Sequence, residues 1–190
     1  MSAFFIFPAL LESKYTRVGE LIKGGSDFRN HFVYLDQLWD SPWGFAGSAP
    51  GREDGMSFKI GKFNLILGLL PIPLVYILYK KKRIDPKHLL LIVYFLALFI
   101  ISIFMMLEIS KFIWEKIPFL AYIQYPWRFL NFALLALCLL PALAFKSIHK
   151  SSQLPLAIFI VIVTLFINLK YFTPRIYIEN SPEQYISEFN

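Results

Sequence analysis

The chain has one cysteine, Cys138, three histidines, and no Asp, Glu, Lys or Arg inside any of its long apolar runs. A lone cysteine cannot form an internal disulfide, so cysteine usage gives no sign of an oxidising compartment. The histidines, His31, His88 and His149, stand far apart in sequence and offer no metal-ligand spacing. Apolar segments without ionisable groups at mid-depth lack the usual marks of a transporter. Without a polar stripe they do not line an ion channel either. A secretory signal is also missing: residues 3–11 have no basic stretch before them, are interrupted by Pro8 and run straight into Glu12. Nine residues rise only about 14 Å as a helix, under half of a ~30 Å hydrocarbon core. That stretch reads as the outer half of a spanning helix that begins upstream, with a short re-entrant segment as the alternative.

Apolar residues make up 57% of the chain and the mean hydropathy is +0.55, too apolar for a soluble domain of 190 residues. The formal net charge of +6 sits entirely in two short loops. One holds Lys80, Lys81, Lys82, Arg83 and Lys87 against Asp85, and the other holds Lys146 and Lys150 with no acid. The remaining bases and acids balance, twelve against twelve. Nucleic-acid binders spread their bases over a solvated face, so this confinement argues against nucleic acid as a partner. Short Lys/Arg-rich loops are held in the cytoplasm, which sets a topology.

Four apolar runs, 63–79, 88–107, 129–145 and 154–169, are each predicted to be a transmembrane helix, because an isolated strand would leave backbone groups unpaired in lipid. Pro71 and Pro73 predict a kink in the first. Pro155 is placed in the first turn of the fourth. The expected fold is all-α and integral to the membrane: four complete transmembrane helices, an N-terminal half-helix, and an extracytoplasmic amphipathic helix with loops. The chain reads as a single unit over 1–190, with a four-span bundle over 63–169. With the basic loops 80–88 and 146–153 in the cytoplasm, segments 12–62, 108–128 and the tail 170–190 fall outside. The bilayer concerned is the plasma (cytoplasmic) membrane.

The first outer segment carries Phe28, Phe32, Leu35, Leu38 and Trp39 at helical spacing. This predicts an amphipathic helix over 27–39, capped by Ser26 or Asp27 and stopped at Ser41-Pro42. A turn-rich loop with Trp43, Gly44, Phe45 and Gly47 follows. Flat rings stack on the apolar faces of sugars and carboxylates accept their hydroxyls, so Asp36, Asp40, Trp43 and Asp54 are candidate substrate-binding residues. The carboxylates could deprotonate a hydroxyl or hold a divalent metal ion. In the plainer alternative Asp40 caps a turn, Asp36 faces water and the rings anchor the loop at the interface. Arg128 stands at the outer mouth of the third span, with Gln124 four residues before it and Pro126 setting the angle of entry. A guanidinium there either snorkels to headgroups or grips a phosphate presented at the bilayer surface.

Four stretches look familiar: Phe7-Pro-Ala-Leu-Leu-Glu12, the run from His31 to Gly51, Asp54-Gly-Met-Ser-Phe-Lys-Ile-Gly61, and Gln124-Tyr-Pro-Trp-Arg-Phe-Leu130. Together they resemble the bacterial multi-pass membrane proteins labelled 6-pyruvoyl-tetrahydropterin synthase-related, over most of residues 3–130. The label misleads, because nothing in the chain offers the zinc-binding histidines of a soluble pterin enzyme. The family's architecture is similar to that of GT-C glycosyltransferases, which take a sugar from a polyprenyl-phosphate donor at the outer face. It is also similar to bacterial proteins that decorate teichoic acids with sugars. Members of the family are longer, with many spans before the stretch matched at residues 7–12. The resemblance therefore implies a C-terminal portion of a cell-envelope enzyme whose catalytic acid lies upstream. It implies Gln124 and Arg128 toward a lipid phosphate, and Asp36, Trp43 and Asp54 toward a sugar. The alternative is a non-catalytic scaffold or accessory protein working with envelope-assembly proteins.

Overall fold

The computed structural model describes residues 7–8, 11–12, 15, 17, 20, 23–42, 44, 47–81, 84–145 and 148–172. Most of the expected N-terminal half-helix, Trp43, Phe45 and nearly all of the C-terminal tail lie outside the described residues. Among those described the protein is helical, without strands, and four helices are long and apolar enough to cross a membrane. They are Lys62–Lys80, Pro86–Met106, Pro126–Phe145 and Lys150–Tyr171. Contacts group the chain into two units, Met1–Ser147 and Ile148–Asn190.

The first unit contains α1 (Leu35–Trp39), α2 (Lys62–Leu69), α3 (Pro71–Lys80), α4 (Pro86–Met106), α5 (Lys111–Lys116) and α6 (Leu130–Phe145). α2 and α3 are the two halves of one span. They part where expected, since Pro71 and Pro73 cannot donate to the helical ladder. α6 is the central element, packed on α4 along its length and on α2. Gly68 makes the α2–α6 approach possible, because a Cβ there would lie 2.9 Å from the Leu137 carbonyl oxygen. Phe99, Met106, Ala133, Ala136 and Leu137 form the core nearer Val33, Leu38 and Phe58, and Val75, Ile92, Leu140 and Ala144 the core nearer the basic loops. At the basic end His88 Nε2 donates to the Leu143 carbonyl at 2.9 Å. That carbonyl belongs to the last turn of α6, where no helical donor remains.

The amphipathic helix expected over 27–39 is broken. A 3-10 turn, Phe28–Asn30, and the short α1 are separated by extended residues. Asp27 is indeed the cap, its side chain accepting from the Arg29 N–H, but it caps the turn. The break has a tertiary cause: the Val33 N–H donates to the Met106 carbonyl at 2.9 Å, and Val33 bridges Leu107 at the end of α4. β-branched Val33 favours that extended backbone.

The second unit is built on α7 (Lys150–Asn168), followed by a 3-10 turn, Leu169–Tyr171. α7 starts ahead of the expected position, so Pro155 lies inside the helix rather than in its first turn. Local bonds supply the early start: the Ser152 N–H donates to the His149 carbonyl at 2.9 Å and Gln153 Nε2 to the Ile148 carbonyl at 3.0 Å. The Ser151 carbonyl, which Pro155 cannot serve, belongs to an exposed residue that water can solvate.

Candidate functional site: the 40–59 loop and the Arg128 turn

The candidate acids sit on a long loop whose two ends are pinned together. The Ile60 N–H donates to the Leu38 carbonyl at 3.1 Å, and Ser41 Oγ, itself 3.1 Å from Ser57 Oγ, accepts from the Phe58 N–H at 3.1 Å. Asp40 closes the neck with Lys59 Nζ at 2.8 Å and Lys62 Nζ at 3.3 Å. Those two ammonium groups, Lys59 first, hold the Asp40 carboxyl below its ordinary range. Asp36 projects from α1 and meets Arg52 at 3.4 Å on an exposed surface. A connection of this length, without a helix among its described residues, is characteristic of functional loops.

Asp54 is different, for it is buried at 7% exposure. Its Oδ2 accepts from Ser48 Oγ and from the Ala49 N–H, each at 3.1 Å, and its Oδ1 accepts from the Met56 N–H at 2.9 Å. Three donors from its own loop thus converge on one carboxylate. Ser48 Oγ also lies 3.0 Å from His31 Nδ1, while His31 Nε2 donates to the Gly25 carbonyl at 2.7 Å. His31, Ser48 and Asp54 are not a nucleophilic triad, since there the histidine would stand between serine and acid. They brace the loop against the Gly24–Ser26 turn. Asp54 is accordingly a positioning residue, and its carboxylate is turned inward.

The second element is the turn that leads into α6. Gln124 has φ +64° and ψ −48°, and the Tyr125 N–H donates across it to the Ile123 carbonyl at 2.7 Å. This is a γ-turn of the rarer, strained hand. Arg128 Nη1 donates to the same Ile123 carbonyl at 2.8 Å, and its guanidinium carbon lies 5.1 Å from the centre of the Tyr125 ring. The guanidinium is therefore fixed by one N–H and one aromatic face, while the residue remains exposed. Trp127 stacks on Tyr125 at 5.5 Å and tilts against Phe58 at 6.3 Å. Its buried indole Nε1 has no acceptor among the described protein groups, an uncommon state for a buried donor.

The loop meets the turn where Phe58 lies against Trp127, and the 24–31 segment that braces the loop meets it at Tyr125. The His31 ring stands edge-on to Tyr125 at 4.7 Å, and Tyr125 Oη lies 3.2 Å from Ser26 Oγ. Of the predicted residues, Gln124 and Arg128 come together on one turn. Asp36 and Asp40 share α1 and its C-terminal cap, whereas Asp54 lies within the loop. Among the described residues no group of three His, Cys, Asp or Glu side chains could hold a metal ion.

Three residues that organise this region escape a reading of the sequence: His31, Tyr125 and Gln37. Buried Gln37 accepts from the Tyr34 N–H at 2.9 Å and donates to the Arg52 carbonyl at 3.0 Å. Asp54-Gly55 does carry a local signal, because aspartate before glycine commonly bonds the N–H two residues on, as Asp54 does with Met56. His31 offers none, its partners being 6 and 17 residues away. Comparison with family models, with curated proteins and with solved structures finds no match to this chain.

Proposed function

We propose that Arg128 and Gln124 hold the phosphate of a polyprenyl-phosphate-linked sugar at the outer face of the plasma membrane. In this reading the chain is the distal part of a GT-C-like glycosyltransferase. The basic loops, 80–88 and 146–153, then lie in the cytoplasm by the positive-inside rule, and the 40–59 loop shapes the sugar side. The observation that carries the reading is the Arg128 turn. At the mouth of a span, an exposed guanidinium is aimed by a strained γ-turn instead of swinging free. Strain of this kind collects at functional sites, and a planar fork suits phosphate. The resemblance of the 31–61 and 124–130 stretches to a membrane-protein family whose architecture is similar to that of GT-C glycosyltransferases supplies the substrate class.

One observation favours a second reading. Asp36, Asp40 and Asp54 are all engaged with bases or backbone donors, so none of the three candidate acids is presented as a general base. A non-catalytic accessory of envelope polysaccharide assembly would bind the same lipid phosphate without transferring the sugar.

The test is binding of a short polyprenyl phosphate to the full chain in nanodiscs. Hydrogen bonds to charged groups contribute about 1.5–3 kcal/mol, so Arg128→Ala should weaken binding roughly 10- to 100-fold. Arg128→Lys should recover only part of it, because an ammonium lacks the fork. Excess phosphatidylglycerol that displaced the probe from the wild type would show a plain headgroup contact and overturn the proposal. Equal affinity of wild type and Arg128→Ala would do the same.

A further inference from the structure

The segment between the second and third spans buries one side and leaves another apolar side uncovered. Trp114 is 1% exposed and packs with Phe28, Phe32 and Phe129, and Leu120, Ala121 and Ile123 join the same cluster. Ile109, Phe112, Ile117, Phe119 and Tyr122, from the same short stretch, are 46–69% exposed. A segment apolar on both sides requires a second apolar surrounding.

We infer that residues 109–122 lie in the headgroup–acyl boundary of the bilayer, with Ile109, Phe112, Ile117, Phe119 and Tyr122 immersed. The occupant of the uncovered face is lipid, for three reasons. First, the segment leaves one span at Met106 and enters the next at Pro126, so both its ends are fixed at one membrane boundary. The exposed apolar surface of those spans, including Ile100, Ile101, Phe132 and Leu135, is continuous in sequence with it.

Second, its backbone is largely self-paired. The N–H groups of Ser110, Ile117, Leu120 and Gln124 donate to the carbonyls of Leu107, Ile113, Ile117 and Ala121 at 2.9–3.0 Å. A segment entering the interface needs such local pairing. Third, its charges suit that depth. Glu115 is drawn onto Arg29 at 3.3 Å, while Lys111 and Lys116 have stems long enough to reach headgroups. The 118–123 turn runs directly into the Gln124 γ-turn, so immersion of Phe119 would hold Arg128 at phosphate depth.

The experiment uses the full chain in phosphatidylcholine–phosphatidylglycerol vesicles. In a Cys138→Ser background, Phe112→Cys, Phe119→Cys and, as a water-facing reference, Pro50→Cys are each labelled with an environment-sensitive fluorophore. The expected result is blue-shifted emission at 112 and 119, largely lost when spin-labelled lipid with a shallow nitroxide is included, and unshifted, unquenched emission at 50. Water-like emission at 112 and 119 would overturn the inference. Blue-shifted emission there that lipid nitroxide leaves intact would also overturn it, by showing a protein covering the face. Should labelling disturb the fold, a photoactivatable lipid applied to the unmodified protein answers the same question. Adducts mapping to residues 109–122 support immersion, and their absence there, with adducts present on the spans, contradicts it. Neither readout depends on phosphate recognition, so this inference and the Arg128 proposal stand or fall separately.

Discussion

The 40–59 loop and the 123–129 turn touch at Phe58 and Trp127 and are linked through His31 and Tyr125, yet they use their charges in opposite ways. The loop and the short helix before it are richer in acids, and each candidate acid is already answered: Asp36 by Arg52, Asp40 by two lysines, Asp54 by three donors of its own loop. The turn has a single base. Its backbone is held in a conformation that costs energy, and that base is presented at the surface. The difference separates charge that builds a loop from charge presented at the surface. Residue type alone does not make this distinction, and an aspartate-rich loop beside aromatics reads as a sugar site until its donors are counted.

The comparison can be broken most forcefully at Asp54. Removing its carboxylate leaves buried donors unanswered at about 1–3 kcal/mol each, so Asp54→Ala should loosen the loop by about 3 kcal/mol or more. Tryptic cleavage after Arg52 in folded protein should rise on the order of a hundredfold, while membrane insertion is unchanged. Next in size is Gln124→Gly. A non-glycine residue at this backbone conformation costs about 1–3 kcal/mol, and glycine's own entropic cost of roughly 0.5–1 kcal/mol opposes the relief. A net stabilisation of about 1 kcal/mol is expected, read as a higher melting temperature together with weaker phosphate binding as the Gln124 amide is lost and Arg128 loses its fixed aim. A lower melting temperature would mean that the γ-turn is not strained.

A pH scan sharpens the comparison from the loop's side. Lys59 and then Lys62 depress the folded Asp40 carboxyl, so its contribution is present above the unfolded-state value of ~3.9 and is lost as pH falls through the lowered folded value. The stability difference between wild type and Asp40→Asn should therefore be greatest near neutrality and shrink with acidification. A difference that stayed constant on acidification would mean that the two lysines do not hold the carboxylate. The smallest effect belongs to Asp36→Asn. Its partner Arg52 is solvent-exposed, and pairs of that kind contribute about 0–1 kcal/mol, so melting should move little.

The spans were legible because long uncharged apolar runs admit few other structures in lipid, and the Pro71–Pro73 kink follows from missing donors. The fourth helix begins ahead of its apolar run, since a proline suited to a first turn also fits farther in when the carbonyl it cannot serve is exposed to water. Helical spacing over 27–39 does not make a continuous helix. Periodicity recorded which residues are apolar, but the link from Val33 to Met106, across more than seventy residues, decides the backbone there. In the site, Arg128 and Gln124 stood out by type and spacing. The γ-turn that joins them is local, its Ile123 carbonyl serving donors two and five residues on, but its positive φ falls on a glutamine, a residue type that gives no signal for it. Asp54 could have been recognised as a turn residue from Asp54-Gly55, and His31 could not.

The central claim is that the turn, and not the acids of the loop, meets the lipid phosphate. It is tested most directly by measuring polyprenyl-phosphate affinity side by side for wild type, Arg128→Ala and the Asp36→Asn/Asp40→Asn double variant. A loss of roughly 10- to 100-fold for Arg128→Ala, with the double variant close to wild type, is the predicted result. Wild-type affinity in Arg128→Ala, or an equal loss in the double variant, would contradict it.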